Sequence, residues 1–295
     1  MELSVVLAAV LALSVLVGVS LGVLGGGGSI LTVPILVYVA GMDPKEAIAS
    51  SLFVVGVTSA AGVISHARAG RVRWQTGVLF GASGLVGGFL GGMLGGHLPG
   101  DLLLFAFALM MLAASAAMIR GRRIDESKQQ QELPVLRVVL IGLTVGLVAS
   151  LVGAGGGFLV VPALALLGGL PMAVAVGTSL LVIAMNSLGG LAGYLSSVQL
   201  DWALVIAVTA AAVLGSVVGG RFVGRIPEAV LRKGFGWFVL VMGGVVLVEQ
   251  SPPGLAIPAV AVVAAIALAA GACVKLAPSC PLRRSPTSSE ELAGV

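Results

Sequence analysis

The sequence predicts an all-α polytopic membrane protein. Two inverted-topology repeats are expected, each with a glycine-tipped helical hairpin, full or re-entrant, plus three transmembrane helices. One extra C-terminal helix follows. Three observations predict this: an apolar composition, an internal duplication at one fixed shift, and basic residues confined to particular loops.

Of the 295 residues, 58% are hydrophobic and 9% are charged, with a mean hydropathy of +1.15. Soluble domains carry roughly 25% charged residues, so the chain reads as membrane-embedded. The 44 glycines predict close helix packing, because small residues let membrane helices approach. The net charge of +4 does not signal nucleic acid, since the basic residues fall in loops. Cys273 and Cys280, in GACVKLAPSC, have no His or further Cys beside them, and no metal site is expected. The N-terminus MELSVV carries Glu2 and no basic residue. It reads as a retained first helix rather than a cleaved signal peptide.

Apolar runs occur at about 3–21, 29–40, 46–66, 75–96 and 102–119, again at about 136–152, 157–169, 172–197, 203–223 and 229–248, and once more at about 254–272. The runs at 29–40 and 157–169 fall short of the ~20 residues a membrane-crossing helix needs. Residues 1–119 form the first repeat and 135–250 the second. Between them, residues 120–134 (RGRRIDESKQQQELP from Arg120) are a cytoplasmic linker. Residues 251–273 are the extra helix, and 274–295 a cytoplasmic tail predicted to be disordered.

LGVLGGGGSILTVP (Leu21 to Pro34) matches SLVGAGGGFLVVP (Ser150 to Pro162), with Pro162 lying 128 residues after Pro34. The same shift pairs Ser51-Leu52 with Ser179-Leu180, Ser59 with Ser187, Gly62 with Gly190, Trp74 with Trp202 and Pro99 with Pro227. Apolar similarity alone does not align two Trp and two Pro, so the chain is read as duplicated. The loop after 46–66 carries Arg68, Arg71 and Arg73, whereas its counterpart carries Asp201 and no base. Basic loops face the cytoplasm, so equivalent loops lie on opposite sides and the repeats are inverted. With both hairpins returning to the side they left, 15 of the 16 Lys and Arg residues fall inside. The N-terminus is then outside, the C-terminus cytoplasmic, and only Lys45 is external.

The glycines sit at the hairpin tips. Irregular backbone is tolerated within a membrane where it lines a water-filled cavity, and helix N-termini that begin after the glycines favour an anion. A lone glycine pair would ordinarily signal helix packing. Here the glycines run consecutively, recur at one shift and interrupt a span. Gly26, Gly27, Gly28 and Ser29 in the first half, and Gly155, Gly156 and Gly157 in the second, are expected to offer backbone donors. Thr58 and its equivalent Asn186 are the expected side-chain contacts. Ser50, Ser51, Ser59, Thr178, Ser179, Ser187 and Thr32 are nearby hydroxyls, any one of which can instead bond only a neighbouring helix. His66 and Arg68 are candidates to draw an anion into an inner vestibule, or else a solvated cluster that sets orientation. No Asp, Glu, Lys or Arg lies in the interior of a predicted span, so a carboxylate relay of the proton-pump type is not expected. Paired carboxylates, HExxH and a Cys/His pair are also missing from the spans, and no enzyme, cofactor or metal is predicted.

The paired hairpin motifs resemble the sulfite exporter TauE/SafE family of membrane permeases. So do the segments ASSLFVVGVTSAAGVISHARAGRVRW and VGTSLLVIAMNSLGGLAGYLSSVQLDW that follow them. The resemblance covers about residues 5–250. It implies movement of small sulfur-containing or carboxylic anions, such as sulfite or sulfonates. The function expected is therefore secondary transport, with export as the direction, by alternating access in the bacterial cytoplasmic (inner) membrane. An anion channel of the same fold and an uptake permease for the same substrates are the alternatives. The expected partners are the anion, the lipid bilayer and a coupling ion, H+ or Na+; a homo-oligomer is compatible.

Overall fold

The computed structural model describes residues 2–120, 135–153, 155–164, 170, 172–221 and 228–250. The expected linker, the extra helix and the tail lie outside the described residues, apart from Arg120. Every regular element described is helical. Five helices are long and apolar enough to cross a membrane: α1 (Glu2–Leu24), α3 (Pro44–Arg68), α4 (Trp74–His97), α8 (Met172–Tyr194) and α9 (Trp202–Arg221). Shorter apolar stretches lie in α5 (Gly100–Arg120), α6 (Val135–Leu151) and α10 (Glu228–Glu249).

The two short runs are broken helices. The first is a 3-10 helix, Gly25–Leu31, then α2 (Thr32–Pro34), then a π turn, Ile35–Val39. Its apolar stretch, Gly28–Val39, reaches only ~18 Å at ~1.5 Å per residue, against a hydrocarbon core of ~30 Å. In the second, α7 covers Gly157–Pro162. Two boundaries differ from expectation. Helical winding in the first half begins at the glycines, not after them. The helix expected to reach residue 197 ends at Tyr194, where Ser197 N–H and Val198 N–H both donate to the Tyr194 carbonyl.

Packing explains the glycine content. A Cβ at Gly87 would strike the Leu143 carbonyl, and one at Gly91 the Leu147 carbonyl, so α4 and α6 touch through backbone. Gly189 meets the Leu85 carbonyl and Gly193 the Phe89 carbonyl between α8 and α4. Gly18 meets Ala212 and Gly22 meets Ser216 between α1 and α9. In each of these pairs residue numbers rise together, so the helices run in the same direction. The helices α3 and α9 also run together, through Glu46 with Asp201, Phe53 with Trp202, and Gly62 beside Ser216. Gly56 faces Ser187 and Gly62 faces Leu180, which makes α3 and α8 antiparallel. Thus α1, α3 and α9 point one way, and α4, α6 and α8 the other. The helix α5 packs on α10.

Asp43 starts α3. Its carboxylate accepts from the Lys45 N–H at 3.0 Å, and Pro44 occupies the first helical position. Asp43→Ala removes this cap and is expected to cost about 1 kcal/mol, read as a lowered Tm of detergent-solubilised protein.

Candidate functional site

The two broken segments meet. The 3-10 helix Gly25–Leu31 packs on α7, and both lie against α8. The tips are built differently. Gly153, Gly155 and Gly156 take φ of 78°, 61° and 84°, a left-handed region that costs other residues about 1–2 kcal/mol each. At the first tip, Gly28 is not among the positive-φ glycines. There the need is close approach: a Cβ at Gly28 would lie 2.7 Å from the Leu21 N and 2.8 Å from the Val17 carbonyl O of α1.

The second tip is clamped by polar groups from both halves. Ser51, on α3, donates to the Gly153 carbonyl at 2.9 Å. Asn186 Nδ2, on α8, donates to the Gly155 carbonyl at 3.4 Å, and Ser150 Oγ donates to the Asn186 carbonyl at 3.4 Å. A Cβ at Gly156 would come within 3.1 Å of Asn186 Nδ2, and one at Gly155 within 2.7 Å of Ser187 Oγ. Asn186 Oδ1 lies in the glycine seam between α4 and α6, where Cβ atoms at Gly88 and Gly146 would be 2.7 and 2.8 Å away.

Near the α3–α8 crossing, Thr58 Oγ1, Ser59 Oγ, Ser187 Oγ and Asn186 Oδ1 are buried without a hydrogen-bond partner, as are Ser50 Oγ on α3 and Thr32 Oγ1 on α2. Leaving a polar atom buried and unpaired costs about 1–3 kcal/mol. A bundle that holds this many has polar capacity in its interior that its own contacts do not use. A narrow cleft beside the first broken segment is lined by Ser14, Val17, Thr32, Ile35, Leu36, Val54, Val208 and Ala212.

Of the residues expected at the site, Asn186, Gly155, Gly156 and Gly157 come together, with Gly157 opening α7. Gly26 and Gly27 lie in the 3-10 helix, and Ser29 is buried within it. Gly28 faces α1. Thr58 is buried on α3 close to the crossing. His66 and Arg68 separate: His66 is buried, whereas Arg68 is exposed at the end of α3. Four contributors were not singled out as site residues from the sequence: Gly153, Ser150, Ser51 as a tie between halves, and Tyr194. Tyr194 is fully buried and donates its hydroxyl to the Leu151 carbonyl at 2.6 Å, which anchors the last turn before the second tip. The 128 shift places it opposite His66, and that was the available signal. Tyr194→Phe orphans this carbonyl and is expected to cost about 1–3 kcal/mol, seen as a lower Tm with the helix content by circular dichroism unchanged.

The loops on the two sides are tied alike. Arg73 N–H donates to Thr178 Oγ1 at 3.0 Å, joining the α3–α4 loop to α8. Asp201 N–H, 128 residues on, donates to Glu46 Oε1 at 3.1 Å, joining the α8–α9 loop to α3.

Broken helices meet inside a bundle of membrane-length helices, and among the described residues no Asp, Glu, Lys or Arg is buried; this is the architecture of a multi-pass membrane protein. The chain belongs to the TauE/SafE sulfite exporter family: the family described as "Sulfite exporter TauE/SafE" matches residues 10–246. The chain is 34% identical over 234 residues to a "Probable membrane transporter protein" of Xylella fastidiosa (strain 9a5c), covering 77% of this chain and 89% of that one. It is 28% identical over 222 residues to the "Probable membrane transporter protein YdhB" of Bacillus subtilis (strain 168), covering 74% and 91%. A relative in Methanocaldococcus jannaschii, also described as a "Probable membrane transporter protein", is 28% identical over 197 residues, covering 63% and 73%. No solved structure matches. Membership implies a small substrate and residence in a lipid bilayer.

Proposed function

We propose that this protein is a secondary transporter, working as an exporter, for small sulfur-containing or organic anions such as sulfite or sulfonates. It acts by alternating access between two inverted repeats in the bacterial cytoplasmic membrane, with its N-terminus outside and its C-terminus inside. The contact between the two broken segments is the observation that carries this reading. It brings Gly25–Leu31 and α7 together, beside hydroxyls and the Asn186 amide oxygen, which lack partners.

Three further facts support it. Helices related by the 128 shift point in opposite directions: α1 against α6, α3 against α8, α9 against α4. The donors of the two loop ties, Arg73 and Asp201, are equivalent under the same shift, although their acceptors, Thr178 and Glu46, are not. Finally, a site made of amides and hydroxyls can hold an anion without a permanent cation. The substrate would contact the backbone N–H groups of Gly26, Gly27, Gly28 and Ser29, and of Gly155, Gly156 and Gly157, together with Thr58 and Asn186.

Asn186→Leu removes the amide and frees the Gly155 carbonyl. Anion flux into proteoliposomes should fall about tenfold or more, equivalent to ~1.4 kcal/mol, with the amount of folded protein maintained. Unchanged flux would take Asn186 out of the site.

A further inference from the structure

Among the described residues, one buried side chain can change charge near neutral pH. This is His66, 6% exposed, in the last turn of α3. A Cβ at Gly177 of α8 would lie 3.2 Å from its Cβ, and the Gly22 carbonyl of α1 lies beside its ring. Its Nδ1 has no hydrogen-bond partner. The residue 128 positions on is Tyr194, whose hydroxyl holds the Leu151 carbonyl. Each half therefore sets a polar ring from its core helix against the last turn of its own tip-bearing helix. In the second half that ring cannot ionise at working pH; in the first it can.

We propose that His66 is the proton-coupling residue of transport: it takes up a proton when an anion occupies the first hairpin and releases it when the anion leaves. This rests on the anion-transport reading above. The physical basis is mutual stabilisation. A neutral imidazole offers one N–H, which the Gly22 carbonyl can accept. Protonation adds a second N–H at Nδ1, where nothing accepts it, and a unit charge in a buried position. Among the described residues, the charge that acts on it is that of Arg71. Arg68 lies two residues on, and Arg71 follows, with its N–H donating to the His66 carbonyl at 2.9 Å. Arg73 stands just before α4. The neighbouring parts of α1 and α8 carry no charged residue. A proton taken up at Nδ1 places a unit charge that an anion in the first hairpin would balance. By linkage, the proton then strengthens anion binding by the same factor that the anion strengthens protonation. Proton and anion cross together.

The test uses the full-length protein in proteoliposomes with a pH dye sealed inside. Ethanesulfonate and thiosulfate serve as probes, because both stay ionised and cannot carry the proton themselves. The wild type should acidify the lumen as the anion enters, and an outside-acid gradient of two pH units should speed entry severalfold. In His66→Gln and His66→Tyr, which takes the residue of the other half, anion entry per folded protein should fall severalfold, and the entry that remains should be uncoupled from protons. Acidification and the response to pH should vanish. Equal acidification per anion in wild type and either folded variant would overturn the proposal, as would wild-type flux indifferent to the pH gradient. If the wild type moves no anion from a wider panel that includes sulfite and acetate, the transport reading itself fails.

Discussion

Gly92→Val should abolish the folded protein. A Cβ at Gly92 would fall against the Gly190 carbonyl of α8, 3.0 Å from its carbon and 3.1 Å from the Gly193 Cα. All three atoms are backbone, so no rotamer change relieves the clash. Only separation of α4 from α8, the helix that carries Asn186, does. Overpacking a well-filled interior costs about 1–3 kcal/mol, sometimes more. Here the strain spreads along a helix whose buried face also includes Gly81, Gly84, Gly88 and Gly95. Gel filtration in mild detergent should show loss of the monodisperse peak. Val78→Ala, on an exposed part of the same helix, should change stability by less than about 0.5 kcal/mol. A normal peak for Gly92→Val would mean the helices are not in backbone contact.

Gly156→Ala is the second large effect, and it strikes function harder than stability. With φ at 84° the new methyl brings a strain of about 1–2 kcal/mol. It also lands 3.1 Å from both Asn186 Nδ2 and the Ala149 Cβ. The tip must shift, the long Asn186 bond to the Gly155 carbonyl breaks, and the first turn of α7 is re-aimed. Folded protein should be recovered at reduced Tm, while anion flux should be near background. Flux close to wild type would show that the conformation of the second tip does not matter to transport.

Much of this was legible from residue patterns. Length and hydropathy located the long helices among the described residues to within a few residues, because a membrane imposes one length scale on every helix. The paired glycine motifs marked where helical continuity breaks. The hydroxyls near those breaks, spaced alike on α3 and α8, marked the buried polar layer. Other features depended on tertiary contacts that no local pattern encodes. Four glycines in a row suggest a loose loop, yet Gly25 and its neighbours wind into a 3-10 helix, because Gly28 must lie directly on α1. The second tip has fewer consecutive glycines but takes the left-handed turn. Ser51 reaches across to Gly153 over a separation of 102 residues. His66 and Arg68 are two apart in sequence, and so lie on different faces of α3. One face is buried against α1 and α8, and the other is exposed.

Transport as proposed requires a small anion to lodge where the two broken helices meet. Thermal unfolding of the purified protein against sulfite, thiosulfate, short sulfonates and short carboxylates tests it most directly. At a concentration of about 100 Kd, a ligand that binds only the folded state adds about 2.7 kcal/mol. At least one anion should therefore raise the Tm of the wild type by several degrees, with no matching rise in Asn186→Leu or Thr58→Val. A panel that leaves the wild type unmoved, or that stabilises both variants equally, would contradict the claim.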